Sequence, residues 1–78
     1  MLVPVVDMKL TGRNIADLRT ARGISVRELQ RMLGFATPQA IYKWQRGETL
    51  PSIENLAALA FVLGVAVEDI LAVKCYRR

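Results

Sequence analysis

The 78-residue sequence contains no histidine and only one cysteine, Cys75. A single cysteine cannot form a disulfide within the chain, and a zinc site would lack its usual cluster of cysteine and histidine ligands. Paired carboxylates suited to acid–base catalysis and a glycine-rich phosphate loop are missing as well. We therefore expect a protein that is not an enzyme and that requires neither a metal nor another cofactor.

Long hydrophobic runs are also missing. The longest unbroken apolar run, Leu56 to Leu63, is less than half of the about 20 residues that a helix needs to cross a bilayer. No secretory signal pattern opens the chain, and no repeat or low-complexity tract interrupts it. These features predict a single soluble domain located in the cytoplasm, with no membrane association. A core this small is only modestly stabilising, so pairing with a second copy would hide further apolar surface.

Charge is distributed unevenly along the chain. Residues 1–46 contain eight Lys and Arg against three acids, or 8 − 3 = +5, whereas residues 47–73 contain four acids and no base, or −4. Residues 74–78 add +3 and bring the total to +4. A basic half suits a polyanionic partner such as nucleic acid. Because the same asymmetry can serve solubility alone, charge by itself leaves both interpretations open.

Glycines and prolines divide the sequence into five periodic segments, which predict helices over residues 12–22, 25–34, 37–47, 52–64 and 67–73. Thr11 and Thr37 are the expected N-caps of the first and third helices, and Ser25 and Glu28 have the spacing of a capping box. The side chains expected to face the core are Ile15, Leu18, Val26, Leu29, Met32, Leu33, Ile53, Leu56, Ala60 and Leu63. The pattern predicts an all-α domain over residues 11–73.

The two ends of the chain differ from this pattern. Residues 1–10 begin with the apolar, β-branched run MLVPVV. This run predicts either an extended arm or edge strand, or a disordered terminus. Residues 74–78, KCYRR, form a short basic tail.

The third segment, TPQAIYKWQRG, has two distinct faces. Ile41 and Trp44 are three residues apart and should pack inward, while the opposite side is amide, phenolic and cationic. Glutamine can pair with adenine and lysine with guanine, so the candidate base contacts are Gln39, Lys43 and Tyr42. The candidate phosphate contacts are Thr37 and Arg46 in this segment and Arg27 and Arg31 in the second helix. The alternative for the arginines is an ordinary solvated charge, and for Tyr42 a position at the rim.

Two short helices joined through Gly34-Phe35-Ala36 form a helix-turn-helix pattern. Around it, within residues 12–71, the sequence contains L-R-x-x-R-G, S-x-x-E-L, W-x-x-G, L-P, L-A-x-x-L-G-V and E-D-I-L. This combination resembles the Cro and lambda-repressor type of helix-turn-helix domain, the xenobiotic-response-element family. The resemblance implies a compact five-helix bundle that binds double-stranded DNA sequence-specifically, usually as a dimer on a two-fold operator. It also implies that the third helix enters the major groove while the second crosses the phosphates.

The sequence departs from the family pattern at two places. Gln30 occupies a position where family members commonly have a small residue. The segment between Gly34 and Ile41 is one residue longer than usual, and we place the extra residue near Ala36. The third helix then keeps its register, but its tilt relative to the second helix can change, and with it the docking angle on DNA.

The fourth helix is apolar on every side, which indicates that it is either buried or has a partner. A homodimer could use this helix, the fifth helix or the arm over residues 2–6. The residues assigned to such an interface are Phe61, Val62, Val65 and Val67. Two functions fit the sequence: a DNA-binding transcriptional regulator, expected to be a repressor, and a protein-binding module on the same scaffold, such as the antitoxin of a toxin–antitoxin pair.

Overall fold

The structure, a computed structural model, describes residues 1–77. The elements in chain order are β1 (Leu2–Val6), α1 (Met8–Ala21), α2 (Val26–Leu33), α3 (Gln39–Gln45), α4 (Ile53–Leu63), α5 (Val67–Ile70) and β2 (Val73–Arg77). All five predicted helices are present, but the predicted end of the fifth at residue 73 is wrong, because the chain becomes extended at Leu71 and Val73 begins β2. The all-α class is wrong in one respect, because the two ends of the chain pair as a two-stranded antiparallel sheet.

The core is formed by one buried stripe from each helix. Its buried members are Ile15, Leu29, Ile41, Trp44, Leu56, Leu59, Leu63 and Ile70. Two of the predicted core positions are wrong, since Met32 is 54% exposed and Ile53 is 86% exposed. Met32 lies on the short α2, whose buried residue is Leu29. Ile53 is the first residue of α4, where no other element covers it.

Two predicted helix starts are also wrong. Helix α1 begins at Met8 rather than Gly12, because Asp7 caps it by accepting the Leu10 N–H at 3.0 Å. Thr11 therefore lies inside the helix, where its buried hydroxyl accepts the Ala72 N–H at 3.0 Å. Helix α3 begins at Gln39 after Pro38, with no side-chain cap, so Thr37 is not its N-cap.

Gly12 allows α1 and α3 to approach closely. A Cβ atom at this position would lie 2.0 Å from the carbonyl oxygen of Trp44 and 2.9 Å from that of Gln45. No side chain fits in that space, so glycine is required for the helix contact. The contact holds the carboxyl end of α3 against the first half of α1.

The terminal ribbon, defined as β1 together with β2, extends from the base of α1. Its register pairs Leu2 with Arg77 and Val6 with Val73. Of the predicted arm, residues 1–10, only residues 2–6 form a strand, and residues 8–10 already belong to α1. The predicted basic tail lies in the partner strand as far as Arg77, while Arg78 lies outside the described residues. The radius of gyration is 12.8 Å, against about 11.5 Å for an average domain of this length. The longest dimension, 43 Å, is about twice the other two, 22 and 20 Å, so the molecule is elongated.

Candidate nucleic-acid interface

The first helix of the helix-turn-helix begins with the predicted capping box. Ser25 Oγ accepts the Glu28 N–H at 3.0 Å, and Glu28 Oε1 accepts the Ser25 N–H at 3.1 Å. The hydrogen bond from the Ser25 backbone lowers the pKa of Glu28 below its ordinary value. Helix α2 ends at Gly34, whose φ of 74° is the left-handed conformation that favours glycine.

The turn between α2 and α3 is closed by Gln30 and Phe35. The Phe35 N–H donates to the Gln30 carbonyl at 3.0 Å, and Gln30 Nε2 donates to the Phe35 carbonyl at 3.2 Å. The long amide side chain therefore bridges the turn. This bridge gives a physical reason for glutamine at a position where the family commonly has a small residue.

The inner face of α3 is anchored as predicted. Ile41 and Trp44 are buried, and the ring of Phe35 meets Trp44 edge-on with centroids 5.8 Å apart. Arg19 of α1 donates from Nε to Gln45 Oε1 at 3.1 Å and from Nη1 to the Ile24 carbonyl at 2.9 Å. Arg19 belongs to the motif L-R-x-x-R-G, but the sequence assigns it no contact, because its charge resembles that of the exposed arginines around it. These contacts fix the orientation of α3.

The outer face of α3 presents the predicted contact residues together. The side chains of Gln39, Tyr42, Lys43 and Arg46 are all exposed, at positions three and four residues apart. Arg46 Nε forms an ion pair with Glu48, a contact that the sequence prediction did not include. The hydrogen bond from Arg46 lowers the pKa of Glu48 below its ordinary value. The guanidinium of Arg46 is thus already engaged by a carboxylate.

The other predicted phosphate contacts lie beside this surface. Arg27 and Arg31 are exposed on α2, and neither guanidinium donates a hydrogen bond within residues 1–77. Thr37 is exposed in the turn that precedes α3. We call the exposed residues Gln39, Tyr42 and Lys43 of α3 and its C-cap Arg46, with Arg27 and Arg31 of α2, the polar surface.

The residues predicted to form a dimer interface do not share one environment. Phe61 is 88% exposed, whereas Val62, Val65 and Val67 are half-buried and pack against the core. Phe61 is instead aligned with exposed Ile53 and Ala57 along α4, at spacings of four residues. We call these three residues the α4 stripe.

Residues 1–77 contain neither a cluster of potential metal ligands nor a membrane-spanning helix. No group of three or more His, Cys, Asp or Glu residues there is arranged to hold a metal ion. No helix in the described part of the chain is long and apolar enough to span a membrane.

Comparison with known structures places this geometry among regulators. The restriction-modification controller C.AhdI from Aeromonas hydrophila superposes with a TM-score of 0.75 at 26% identity, covering 82% of this chain and 96% of that one. The clp gene regulator ClgR from Corynebacterium glutamicum superposes with a TM-score of 0.71 at 27% identity, covering 81% and 80% of the two chains. A comparison with curated protein sequences gave no significant match.

The same fold also occurs outside regulators. HppE, crystallised with iron(II) and substrate, has a TM-score of 0.76 at 22% identity, and the match covers 85% of this chain but 38% of HppE. The fold alone therefore does not decide function. A family model described as helix-turn-helix matches residues 15–70, which is most of the chain. The chain belongs to the helix-turn-helix family, in its Cro and lambda-repressor (xenobiotic-response-element) branch.

Proposed function

We propose that this protein is a sequence-specific DNA-binding transcription regulator that reads the major groove with α3. The observation that supports the proposal is the polar surface: one side of α3 is anchored in the core, while the other exposes Gln39, Tyr42 and Lys43. An amide and an ammonium held on a rigid helix can discriminate base edges. The neighbouring arginines of α2 can bind phosphates, which position a protein without reading sequence.

We further propose that binding occurs as a homodimer on a two-fold operator and represses transcription by occupying the site. Two copies related by a two-fold axis place two recognition helices on one face of the duplex, which explains why such operators are palindromic. The chain contributes one basic half and one acidic half, so its positive half is attracted to DNA and binding should weaken with salt.

The experiment is selection of bound duplexes from a random pool, followed by titration of point variants on the selected site and on an unrelated duplex. Lys43→Ala and Gln39→Ala are expected to reduce discrimination between the two duplexes by on the order of tenfold each. Arg31→Ala and Arg27→Ala are expected to weaken both duplexes about equally.

These variants are matched controls for each other, because Lys43→Ala and Arg31→Ala each remove one positive charge from an exposed helical position. Recovery of no consensus, or equal loss of discrimination from both kinds of variant, contradicts the proposed reading by α3. Glu48→Gln adds a third test: because it releases Arg46 and removes a negative charge, it should raise affinity for every duplex.

A second candidate function is supported by the α4 stripe. Exposed apolar side chains in a row indicate a protein partner, as expected for a module such as an antitoxin. The test is co-purification with the product of a neighbouring gene, using Phe61→Ser as the variant and Thr20→Ser, at an exposed position of α1, as the control. A complex that Phe61→Ser abolishes favours this function, and an unchanged complex or none at all contradicts it.

A further inference from the structure

The terminal ribbon is the part of the molecule that other elements support least. All five residues of β2 are exposed, and the main contacts of each strand are with the other strand. Two hydrogen bonds connect the ribbon to α1. The Asp7 N–H donates to the Ala72 carbonyl at 2.8 Å, and the Ala72 N–H donates to the Thr11 hydroxyl at 3.0 Å. A two-stranded ribbon alone is marginally stable in water, and a stable sheet usually needs three or more strands.

The bond between Asp7 and Ala72 determines which backbone groups of the ribbon point outward. These two residues continue the register that pairs Val6 with Val73. Residues along an antiparallel strand alternate between bonding the partner strand and pointing away from it. Since Asp7 points toward the partner strand, residues 3 and 5 do so too, and residues 2, 4 and 6 point away.

The outward edge of β1 is closed by proline. Pro4 lies in the middle of that edge and has no N–H to donate, so a further strand could not form a continuous ladder there. Proline at such a position is a common way to prevent a sheet from growing.

The outward edge of β2 has no such block. By the same alternation, Val73, Cys75 and Arg77 direct their N–H and C=O groups away from β1. The ribbon therefore has one closed edge and one open edge, and the open edge is that of β2.

We propose that β2 pairs antiparallel with β2 of a second copy, which forms a four-stranded sheet, β1-β2-β2-β1, across a two-fold axis. Antiparallel pairing of one strand with its own copy is a two-fold operation, so each copy satisfies the other's outward groups reciprocally. This inference names the surface for the proposed homodimer, but its test in solution does not depend on DNA binding.

Side-chain chemistry selects the register of this pairing. The outward-pointing residues of one copy must face the outward-pointing residues of the other, so the axis passes through one of residues 73–77. An axis at Val73 or Arg77 would pair only the end of the strand, which leaves Lys74, Cys75 and Tyr76. An axis at Lys74 places two ammonium groups opposite each other, which is unfavourable, and an axis at Tyr76 leaves Val73 unpaired. An axis at Cys75 pairs every residue of β2 and sets each Lys74 opposite the other copy's Tyr76. Within one chain, Lys74 Nζ already lies 5.5 Å from the centre of the Tyr76 ring.

The decisive pair of variants is Cys75→Pro and Cys75→Ala, compared by sedimentation at micromolar concentration. Cys75→Pro removes an outward N–H and leaves the bonds between β1 and β2 intact, whereas Cys75→Ala keeps that N–H. We expect the wild type and Cys75→Ala to sediment as dimers and Cys75→Pro as a single chain with unchanged circular dichroism. A wild-type monomer would overturn the proposal and favour a strand from another, acidic protein as the occupant. If Cys75→Pro sediments as a dimer, the proposed pairing of β2 is wrong, and the α4 stripe becomes the candidate dimer interface.

Disulfide trapping provides a test that does not require Cys75→Pro to fold. Hydrogen-bonded antiparallel neighbours have Cα atoms about 5.5 Å apart, within the range that a disulfide can span. Mild oxidation should therefore link the wild type through Cys75 rapidly and completely. The control is Cys75→Ala combined with Thr20→Cys, which places the thiol at an exposed position of α1. Equal cross-linking of the two proteins would mean random collision and would refute the register.

Pro4→Val tests the closed edge. It restores the missing N–H at the outward edge of β1, so both edges of each ribbon become open. We expect species larger than a dimer to appear by light scattering, and Cys75→Pro in the same chain to limit this growth. If Pro4→Val sediments like the wild type, proline does not close that edge, and the two edges of the ribbon do not differ as proposed.

Loss of DNA binding with dimerisation intact would count against the proposed function alone.

Discussion

The helical body, residues 8–70, and the terminal ribbon satisfy their backbone groups in different ways. The helices satisfy their backbone groups through bonds within each helix and at its ends, and each buries one stripe against its neighbours, so that Ile15, Leu29 and Ile41 are fully buried. The ribbon completes half of its backbone groups between its two strands and directs the other half outward. The body therefore satisfies its backbone hydrogen bonds within one chain, whereas the ribbon has backbone groups that can bond a partner.

The largest expected effect concerns the contact between α1 and α3 in the body. Gly12→Ala would place a Cβ atom 2.0 Å from the Trp44 carbonyl oxygen, so the two helices must separate. We expect a loss of about 4 kcal/mol of unfolding free energy, measured by urea denaturation. Gly23→Ala is the control, because it meets no atom within 4 Å and should cost only about 1 kcal/mol for its left-handed backbone. Similar losses at both glycines would contradict the close helix contact.

The next largest effect is the difference between the two faces of α3 in their contribution to the free energy of unfolding. Ile41 is fully buried and Tyr42 is exposed. Ile41→Ala leaves a cavity and is expected to cost about 3 kcal/mol, while Tyr42→Ala is expected to cost less than about 1 kcal/mol. Chemical denaturation of both variants measures the difference, and comparable losses would show that α3 is not anchored through Ile41.

Thr11 connects the body to the ribbon, and its removal should loosen the ribbon selectively. Thr11→Val leaves the Ala72 N–H without its acceptor in a buried position, which should cost about 2 kcal/mol. Amide hydrogen exchange should accelerate throughout β1 and β2 more than in α3. Thr20→Val, at an exposed position of the same helix, should leave exchange in the ribbon unchanged. Uniform acceleration over the whole chain would break the distinction between body and ribbon.

The capping box should contribute less to stability, and its loss should affect only the start of α2. Ser25→Ala removes the acceptor of the Glu28 N–H and is expected to cost about 1 kcal/mol. Amide exchange at the start of α2 should accelerate while exchange in the ribbon stays the same. Ser52→Ala, which removes the corresponding cap of α4, is the matched variant. A change in ribbon exchange from either variant would show that the body and the ribbon are coupled.

The smallest effect is a dependence of stability on pH. The pKa of Glu28 is lowered in the folded state, so its contribution is present above the ordinary value of 4.5 and is lost as pH falls through the lowered pKa. Glu28→Gln should therefore reduce the loss of stability on acidification, as followed by thermal unfolding between pH 6 and 3. Glu54→Gln on α4 is the control, and an equal effect of both variants would contradict the role of the Ser25 contact.

The periodic middle of the chain could be predicted well because its signals are local. The capping box, the glycine after α2 and the three-residue spacing of Ile41 and Trp44 act within one or two helical turns, and the structure contains all of them. Periodicity predicts an inward position for Met32 and Ile53, which the structure exposes, because it indicates a stripe but not how far along a helix the neighbouring elements reach. The Arg46–Glu48 pair, two residues apart, was also missed, since residues at this spacing do not face each other on a regular helix.

Signals in the sequence are sufficient to predict the five helices, the inner and outer faces of α3 and the helix-turn-helix family. Only the tertiary structure shows that the first and last segments form one ribbon and that the Thr11 hydroxyl accepts a hydrogen bond from the Ala72 N–H. It also shows that Pro4 lies at one outward edge of this ribbon, while the outward edge of β2 is open. The physical reason is separation along the chain. Helix signals lie within a few residues of each other, whereas the pairing of Leu2 with Arg77 depends on how the whole helical body brings the two ends of the chain together.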